Sequence, residues 1–448
     1  MDKAERILRI LLTNGFEALK VGGYVRDRLL GHIPKDMDIA TNATPDQVIN
    51  LFSNQGFEVN LVGKNFGVVI VDGVEVASYR TEQYMRRGKP NVQIVSDFYQ
   101  DSSRRDFTIN AMALTVDNRL IDYHGGLLDM RSRLVRAVGS PEQRFMEDPS
   151  RILRGVELAA RLGFKIEADT KQAMTNMGYL LKEVPYPLVG KIVKKAISFR
   201  RLASFIRLLE ETKLLQYVFP ELVHTVGCPQ NPRYHKYDVF RHILAVIRAA
   251  EKRVDPILML GALLHDIAKG LPIVRGINRM GQPSDIGHEE AGVPIARAIL
   301  SRLEFDKSVI RDVLFLVNFH GIRLEPNPKR STCLRVLRRL AEWYPNKRDL
   351  LVAVRRLFVF MNCDAEGFAD DFGKEMKATL ASIKPVFIDV LKESVLYVSD
   401  LPITGRDLVE RGYQGKAVGE ILRRLVDLNK SSRQEILAYL DRLEVQST

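Results

Sequence analysis

Hydrophobic periodicity changes once along the chain, near residue 140. Before that point short helical stretches alternate with strand-like ones. Residues 59–80, VNLVGKNFGVVIVDGVEVASYR, carry the strand pattern, and Val71-Asp72-Gly73-Val74 reads as a hairpin turn. This front part predicts a small antiparallel or mixed sheet flanked by helices. From Pro141 onward apolar residues recur at three- and four-residue intervals, as in residues 166–184 and 190–215. A Pro-rich loop over residues 227–232 marks a boundary. Helices then dominate to the end, broken near residues 272–287 and 326–328. The expected organisation is an α+β chain: a front domain over 1–139, a helical segment over 140–224, a second helical domain over 225–370 and a helical tail over 371–448.

Bulk properties narrow the partner. At 448 residues the chain exceeds one compact core, and two to four domains are expected. A net charge of +12 points to an acidic partner, most simply a nucleic acid backbone. Basic clusters at Arg86-Arg87-Gly88-Lys89, Lys194-Lys195 and Arg200-Arg201 each read alone as solvated faces; their sum suits a long polyanion. Cys228, Cys333 and Cys363 have no ligand spacing, so a reducing cytoplasm is expected. The N-terminus reads as an amphipathic charged helix, not a signal peptide. No apolar run reaches the roughly 20 residues that cross a bilayer, so no membrane partner is expected.

The most telling stretch is GGYVRDRLLGHIPKDMDIAT, residues 22–41. With Met37 to Ala40 on a strand, Asp36 and Asp38 face the same side. Two adjacent carboxylates repel unless a cation lies between them. A pair of magnesium ions about 3.5–4 Å apart would use them to clamp the attacking and leaving oxygens of a phosphoryl transfer. Gly22 and Gly23 remove side chains where backbone N–H groups approach a triphosphate. Arg26 and Asp27 follow in the first turn of a helix ending at Gly31. The competing reading of an isolated DxD is a solvated acidic turn.

Three more segments follow in order. VEVASYRTEQY (residues 74–84) reads as a β-strand in a hairpin, on which Glu75 is either a third metal carboxylate or a solvent-facing residue. RRDFTINAMAL (104–114) offers Arg104 and Arg105 as forks for phosphate oxygens. There Asp106 can accept from a ribose hydroxyl, and Asn110 can bond sugar or backbone. Phe107, Ile109, Met112 and Leu114 read as core. In EDPSRILRGVELAARLGF (147–164), Asp148 and Arg151 lie three apart on a helix and share a face. One accepts and the other donates, as the edge of a base requires. Arg154 continues that face toward the phosphates.

This ordered set resembles motif A, motif B and the template helix of the polymerase-β-like nucleotidyltransferases. It is most similar to the class II tRNA nucleotidyltransferases and bacterial poly(A) polymerases. The resemblance covers about the first 165 residues and implies a polymerase-β-like head followed by an all-α neck. It implies that Arg105, Asp106 and Asn110 serve the ribose and phosphates, and that Asp148 and Arg151 read ATP and CTP in place of a template. Glu157 and Leu158 depart from the family's usual Arg-Phe. The stretch VGKNFGVVIV favours the tRNA enzymes. Pro149 is shared with A-adding enzymes and poly(A) polymerases. Residues 81–96, a mobile loop in the family, are slightly short.

Six of the eight histidines fall between His224 and His320. His242, the pair His265-Asp266 in LLHDIAKG, His288, His320 and Asp364 occur in the order of the HD phosphohydrolases, which this region resembles. The resemblance makes all six ligands of one or two divalent metals, and imidazole with carboxylate suits manganese, nickel, iron or zinc. His224 and His235 read as surface or capping residues. A metal-free helical domain kept for RNA binding is the alternative.

The expectation is therefore a magnesium-dependent enzyme that adds nucleotides from CTP and ATP to the tRNA 3′ end, with a second, metal-dependent phosphohydrolase site. Alternatives are an A-adding or CC-adding partial enzyme, a poly(A) polymerase, a phosphohydrolase with a degenerate front, or a non-catalytic RNA-binding protein.

Overall fold

A computed structural model describes residues 3–34, 36–323 and 325–445. The side chains of Arg86 and Lys89, half of one expected basic cluster, lie outside the described residues. The chain divides into two compact units, Met1–Pro220 and Glu221–Thr448.

The first unit opens with α1 (Lys3–Thr13), β1 (Ala18–Val21), α2 (Gly23–Leu29), β2 (Asp38–Thr41) and α3 (Pro45–Ser53). Strands β3 (Val59–Asn60), β4 (Val68–Val71), β5 (Val74–Ser78), β6 (Arg80–Arg86) and β7 (Lys89–Ile94) follow. After α4 (Phe98–Ser103) come β8 (Ala113–Leu114), β9 (Leu120–Ile121), α5 (Gly126–Arg131) and β10 (Leu134–Val135). A mixed sheet forms in the order β3-β4-β5-β2-β1-β8-β9, in which β2 and β5 run parallel. Asp72 and Gly73, both at positive φ, close the tight β4–β5 hairpin, with Val71 opposite Val74.

Strand parity decides what each face does. Ile39, Val69, Val71 and Val76 pack with Ile7, Leu8, Leu11, Val48 and Phe52 in one core cluster under α1 and α3. Their neighbours Asp38, Glu75 and Ala77 point the other way, onto the wall of a cavity.

Two expected elements are corrected. The strand starts at Asp38, not Met37, so Asp36 precedes it. Residues 74–84 are not one strand: β5 belongs to the main sheet and β6 pairs only with β7. The break falls at Tyr79, whose fully buried ring and backbone bond to Thr41 turn the chain out of the sheet.

The helical remainder of this unit comprises α6 (Pro141–Glu147), α7 (Ser150–Leu162), α8 (Ala168–Met177), α9 (Tyr186–Ser198), α10 (Leu202–Glu211) and α11 (Leu215–Val218); β11 (Lys165–Ile166) pairs with β10. Asp148 and Arg151 do not share one helix, contrary to expectation. Asp148 is extended, at φ −142°, between α6 and α7. Pro149 disfavours helical backbone in the residue before it, so the motif folds as a helix–hinge–helix. Gly155 lets α7 close on the 104–114 segment: a Cβ there would lie 2.6 Å from Phe107 Cζ.

The second unit contains α12 (Val239–Glu251), α13 (Pro256–Leu264), a hairpin of β12 (Arg275–Ile277) and β13 (Pro283–Asp285), and α14 (His288–Arg302). Helices α15 (Lys307–Phe319), α16 (Arg330–Ala341), α17 (Lys347–Asp364) and α18 (Asp370–Glu393) follow. Helices α19 (Gly405–Glu410), α20 (Lys416–Asp427) and α21 (Arg433–Val445) share a small core of Leu401, Ile403, Leu408, Leu425, Ile436 and Leu440.

Candidate functional site

A cavity of about 600 Å³ in the first unit gathers most residues singled out in its sequence. Gly22, Gly23, Arg26, Asp38, Glu75, Arg104, Arg105, Asp106, Asn110, Asp148, Arg151 and Arg154 all line it. Gly22 sits at φ +68°, a conformation favouring glycine, with Asp38 and Arg105 beside it. Asp36 is exposed and does not line the cavity. Burial, reinforced by the charges of Glu75 and Asp36, pushes Asp38 up to about 6, while Arg105 opposes the shift. Mutually repelling carboxylates of this kind fit a divalent cation.

The cationic wall is held by specific partners. Asn110 Oδ1 accepts from Arg26 Nη1 at 2.6 Å, its Nδ2 donates to Asp106 at 3.3 Å, and its carbonyl accepts from Arg105 at 3.2 Å. Asp106 also receives Arg154 at 2.6 Å. Asp148 accepts from the Ser150 amide and lies 3.9 Å from Arg154. Arg151, nearly buried, donates to Glu147 at 2.7 Å, to the Arg144 and Arg104 carbonyls and to the Tyr84 hydroxyl. Its Nε has no hydrogen-bond partner among the described residues.

Several contributors escaped sequence reasoning. Asp101, only 1% exposed, bonds both Arg104 (2.8 and 3.0 Å) and Arg105 (3.0 and 3.3 Å). Burial would raise its pKa, but Arg105 and Arg104 outweigh that and hold it below the usual carboxylate value. Glu82 receives Arg104 and Tyr84 and faces Arg151 at 3.6 Å. The only signal for Glu82 and Tyr84 was their two-residue spacing on one strand. Glu157, at the position departing from the resemblance, is buried on the cavity wall and pairs with Arg161 at 3.1 Å and Lys195 at 3.2 Å.

In the second unit all six expected ligands converge. His242 Nε2 lies 2.9 Å from Asp364 Oδ1 and 3.1 Å from His265 Nε2. His288 Nε2 lies 3.2 Å from both His320 Nε2 and Asp266 Oδ1. Asp266 spans the two groups: Oδ2 lies 3.3 Å from His265 and Oδ1 3.5 Å from His320. His265, His288 and His320 each direct Nδ1 at a backbone carbonyl (Ala262, Asp285 and Val317), which leaves Nε2 facing inward as a ligand. Buried imidazole nitrogens held this close need a proton or a cation between them. Both Asp266 oxygens are enclosed by imidazole and ammonium nitrogens, a setting that also fits a metal.

Lys269 reaches Asp266 at 2.8 Å. Burial opposes a charge on His265, but Asp266 and Asp364 push its pKa up to about 10. Gly367 lets the His242 ring lie against the backbone: a Cβ would be 2.2 Å from Nδ1. His235 is not a surface or capping residue. It lines a cavity beside the cluster in the second unit, packs edge-on to His242 at 5.2 Å, and burial lowers its pKa to about 3. His224 is partly buried, with Nε2 enclosed.

Among the described residues no helix is long and apolar enough to cross a membrane. The three cysteines are free.

Family models match three segments: "Poly A polymerase head domain" over residues 18–136, "Probable RNA and SrmB- binding site of polymerase A" over 163–225 and "HD domain" over 239–353. The chain is 30% identical over 440 residues to the multifunctional CCA protein of Pasteurella multocida, covering 93% of this chain and 97% of that one. It is 41% identical over 206 residues to the CCA-adding enzyme of Bacillus subtilis, covering 45% of this chain and spanning about half (49%) of that relative. The fold matches a crystal structure of the Bacillus stearothermophilus CCA-adding enzyme in complex with CTP, with a TM-score of 0.68 and 23% identity over 100% of this chain and 99% of that one.

Proposed function

The chain belongs to the family of CCA-adding enzymes and bacterial poly(A) polymerases, a family of divalent-metal nucleotidyltransferases, and from that premise we propose that it builds or repairs the CCA end of tRNA. The observation that carries this reading is the convergence of Asp38, Glu75, Arg105, Asp106, Asp148 and Arg151 on one cavity. Near-complete alignment with a multifunctional CCA protein favours full CCA addition over an A-only, CC-only or poly(A) activity.

Asp38 and Glu75, with Asp36 from the preceding loop, would hold magnesium. Bound there, magnesium supplies charge neutralisation for the attacking and leaving oxygens. The tRNA 3′-hydroxyl loses its proton to solvent and bonds the α-phosphorus of CTP or ATP; the bond from that phosphorus to the bridging β-phosphate oxygen breaks and pyrophosphate departs. Gly22 and Gly23 let the triphosphate approach the backbone, and Arg26, Arg105 and Arg154 face its charge. Asp106 and Asn110 orient the ribose. Asp148 and Arg151 select the base. Because the Arg151 Nη groups are already engaged and Nε is enclosed, exchange with the Tyr84 hydroxyl frees the contact. We assign residues 1–139 to the catalytic head, 140–224 to a neck, 225–370 to the HD-type domain and 371–448 to a tail. The basic helical parts grip tRNA by shape and phosphate contacts, in a reducing cytoplasm. The test incubates tRNA transcripts lacking A, CA and CCA with labelled CTP or ATP. Repair of all three to a complete CCA end is expected; incorporation of A alone into tRNA ending in CC contradicts it.

A second reading has its own observation, the six-residue cluster in the second unit. His242, His265, Asp266, His288, His320 and Asp364 would hold manganese, nickel, iron or zinc, which supplies Lewis-acid polarisation and an acidified water. There a phosphoester gains a water oxygen at phosphorus and releases its ester oxygen as an alcohol. Lys269 faces the phosphate charge. Hydrolysis of 2′,3′-cyclic or 2′-phosphate nucleotides with added transition metal is the expected assay result.

A further inference from the structure

The cavity around the imidazole–carboxylate cluster, about 400 Å³, shares part of its wall with a neighbouring cavity. Ile322, Met361 and Met376 line the first and also line this second cavity, of about 310 Å³, between α17 and α18. That volume lies within the range of small-molecule pockets, about 300–1,000 Å³. Phe358 and Met361 project from α17; Phe372, Met376, Leu380 and Phe387 project from one face of α18. Phe358 and Phe387 meet edge-on at 5.6 Å. Phe372 reaches across to Tyr234, on the wall of the first cavity, at 4.9 Å.

The junction is tied to the metal cluster by the helix itself. Met361 lies one turn before Asp364, so α17 supplies both a cluster ligand and part of the wall that the two cavities share. Methionine at such a junction is deformable and adapts to an inserted ring. The apolar walls carry polar groups at intervals: Thr379, Glu375 and Arg323 also line the pocket. Aromatic and thioether walls match the faces of a flat ring; a carboxylate, a hydroxyl and a guanidinium match the donors and acceptors along its edge.

We propose that the cavity between α17 and α18 is a nucleobase subsite of the cluster site. The phosphate lies by the cluster and Lys269, and the base lies against Phe358 and Phe372. This assignment rests on the phosphohydrolase reading, and the test separates the two. Full-length protein is photolabelled with 8-azidoadenosine monophosphate, and the labelled peptides are mapped by mass spectrometry. Label is expected on α17 or α18 as well as on the head. Thr379→Trp, which fills the pocket from a partly exposed position, lowers the α17/α18 label by about tenfold or more, the loss of one stacked base. Head labelling stays within about twofold and shows that the variant is folded; Thr379→Phe serves where the larger ring is not tolerated. Label confined to the head, or α17/α18 label that persists in both variants, overturns the subsite. Hydrolysis of glycerol 2-phosphate and adenosine 2′-phosphate with added manganese is measured on the wild type. Failure to cleave either, with α17/α18 labelled, rejects the hydrolase and leaves the base pocket standing.

Discussion

Asp101→Ala tests how the cationic wall of the nucleotide cavity is held. The wild-type carboxylate is 1% exposed and receives four N–H groups from Arg104 and Arg105 at 2.8–3.3 Å, plus the Arg80 amide at 3.3 Å. Alanine leaves two partly buried guanidinium groups with no carboxylate between them. Removing one partner of a buried ion pair costs about 3–5 kcal/mol. Arg104 keeps Glu82 at 2.7 Å, which places the loss near the lower end, about 3 kcal/mol. In a unit of this size that is a fall in Tm of about 6–12 °C.

Among the described residues Arg105 forms an ion pair within 4 Å only with Asp101, so it leaves its position beside Gly22, and KM for CTP and ATP rises more than kcat falls. Differential scanning calorimetry and steady-state incorporation into tRNA read the two effects. The pH sign follows from the lowered pKa. A depressed carboxylate stabilises the fold above its ordinary value of 3.8, and that stability drains away as pH falls through the lower folded value. Asp101→Asn should therefore narrow its stability gap to wild type below about pH 4. An Asp101→Ala protein with an unchanged Tm and an unchanged KM refutes the reasoning.

Three further outcomes are expected. His265→Ala, which removes a fully buried member of the second cluster, abolishes metal-dependent phosphoester hydrolysis and spares nucleotide addition; hydrolysis surviving that change contradicts the ligand assignment. Gly126→Ala places a Cβ 2.3 Å from the Thr108 carbonyl and 2.9 Å from Met112, and costs about 1–3 kcal/mol, measured by urea unfolding. Binding of tRNA, followed by filter retention, weakens steeply with salt, as phosphate contacts from a chain of net charge +12 require; a flat salt dependence argues against backbone-led recognition.

What the sequence discloses depends on the range of the interaction. Strand parity in residues 68–78 separates Glu75 from core-facing Val76 but does not relate it to Asp38, which only the pairing of β2 with β5 does; the order of His242, His265-Asp266, His288, His320 and Asp364 already matches one cluster. Local spacing misleads where backbone geometry intervenes. Asp148 and Arg151 are three apart, yet Pro149 bars a continuous helix, and the two meet the cavity from a hinge and a helix. Asp36 and Asp38 are two apart, yet only the second is on the strand. Partners distant in sequence are not legible at all. Nothing near Glu157 announces Lys195, and nothing near His235 announces the His242 and Phe368 rings it packs against. Such pairings follow from how helices are brought together, which the hydrophobic pattern specifies by face and not by neighbour.

The most direct test of the account is incorporation of labelled CTP and ATP by Asp38→Ala at saturating magnesium, with tRNA binding measured in parallel. Losing a carboxylate that holds the reacting phosphates' counter-charge removes several kcal/mol, about a thousandfold in rate, while tRNA is bound as tightly as by the wild type. Incorporation within tenfold of wild type would contradict the assignment of the front cavity as the site of nucleotide transfer.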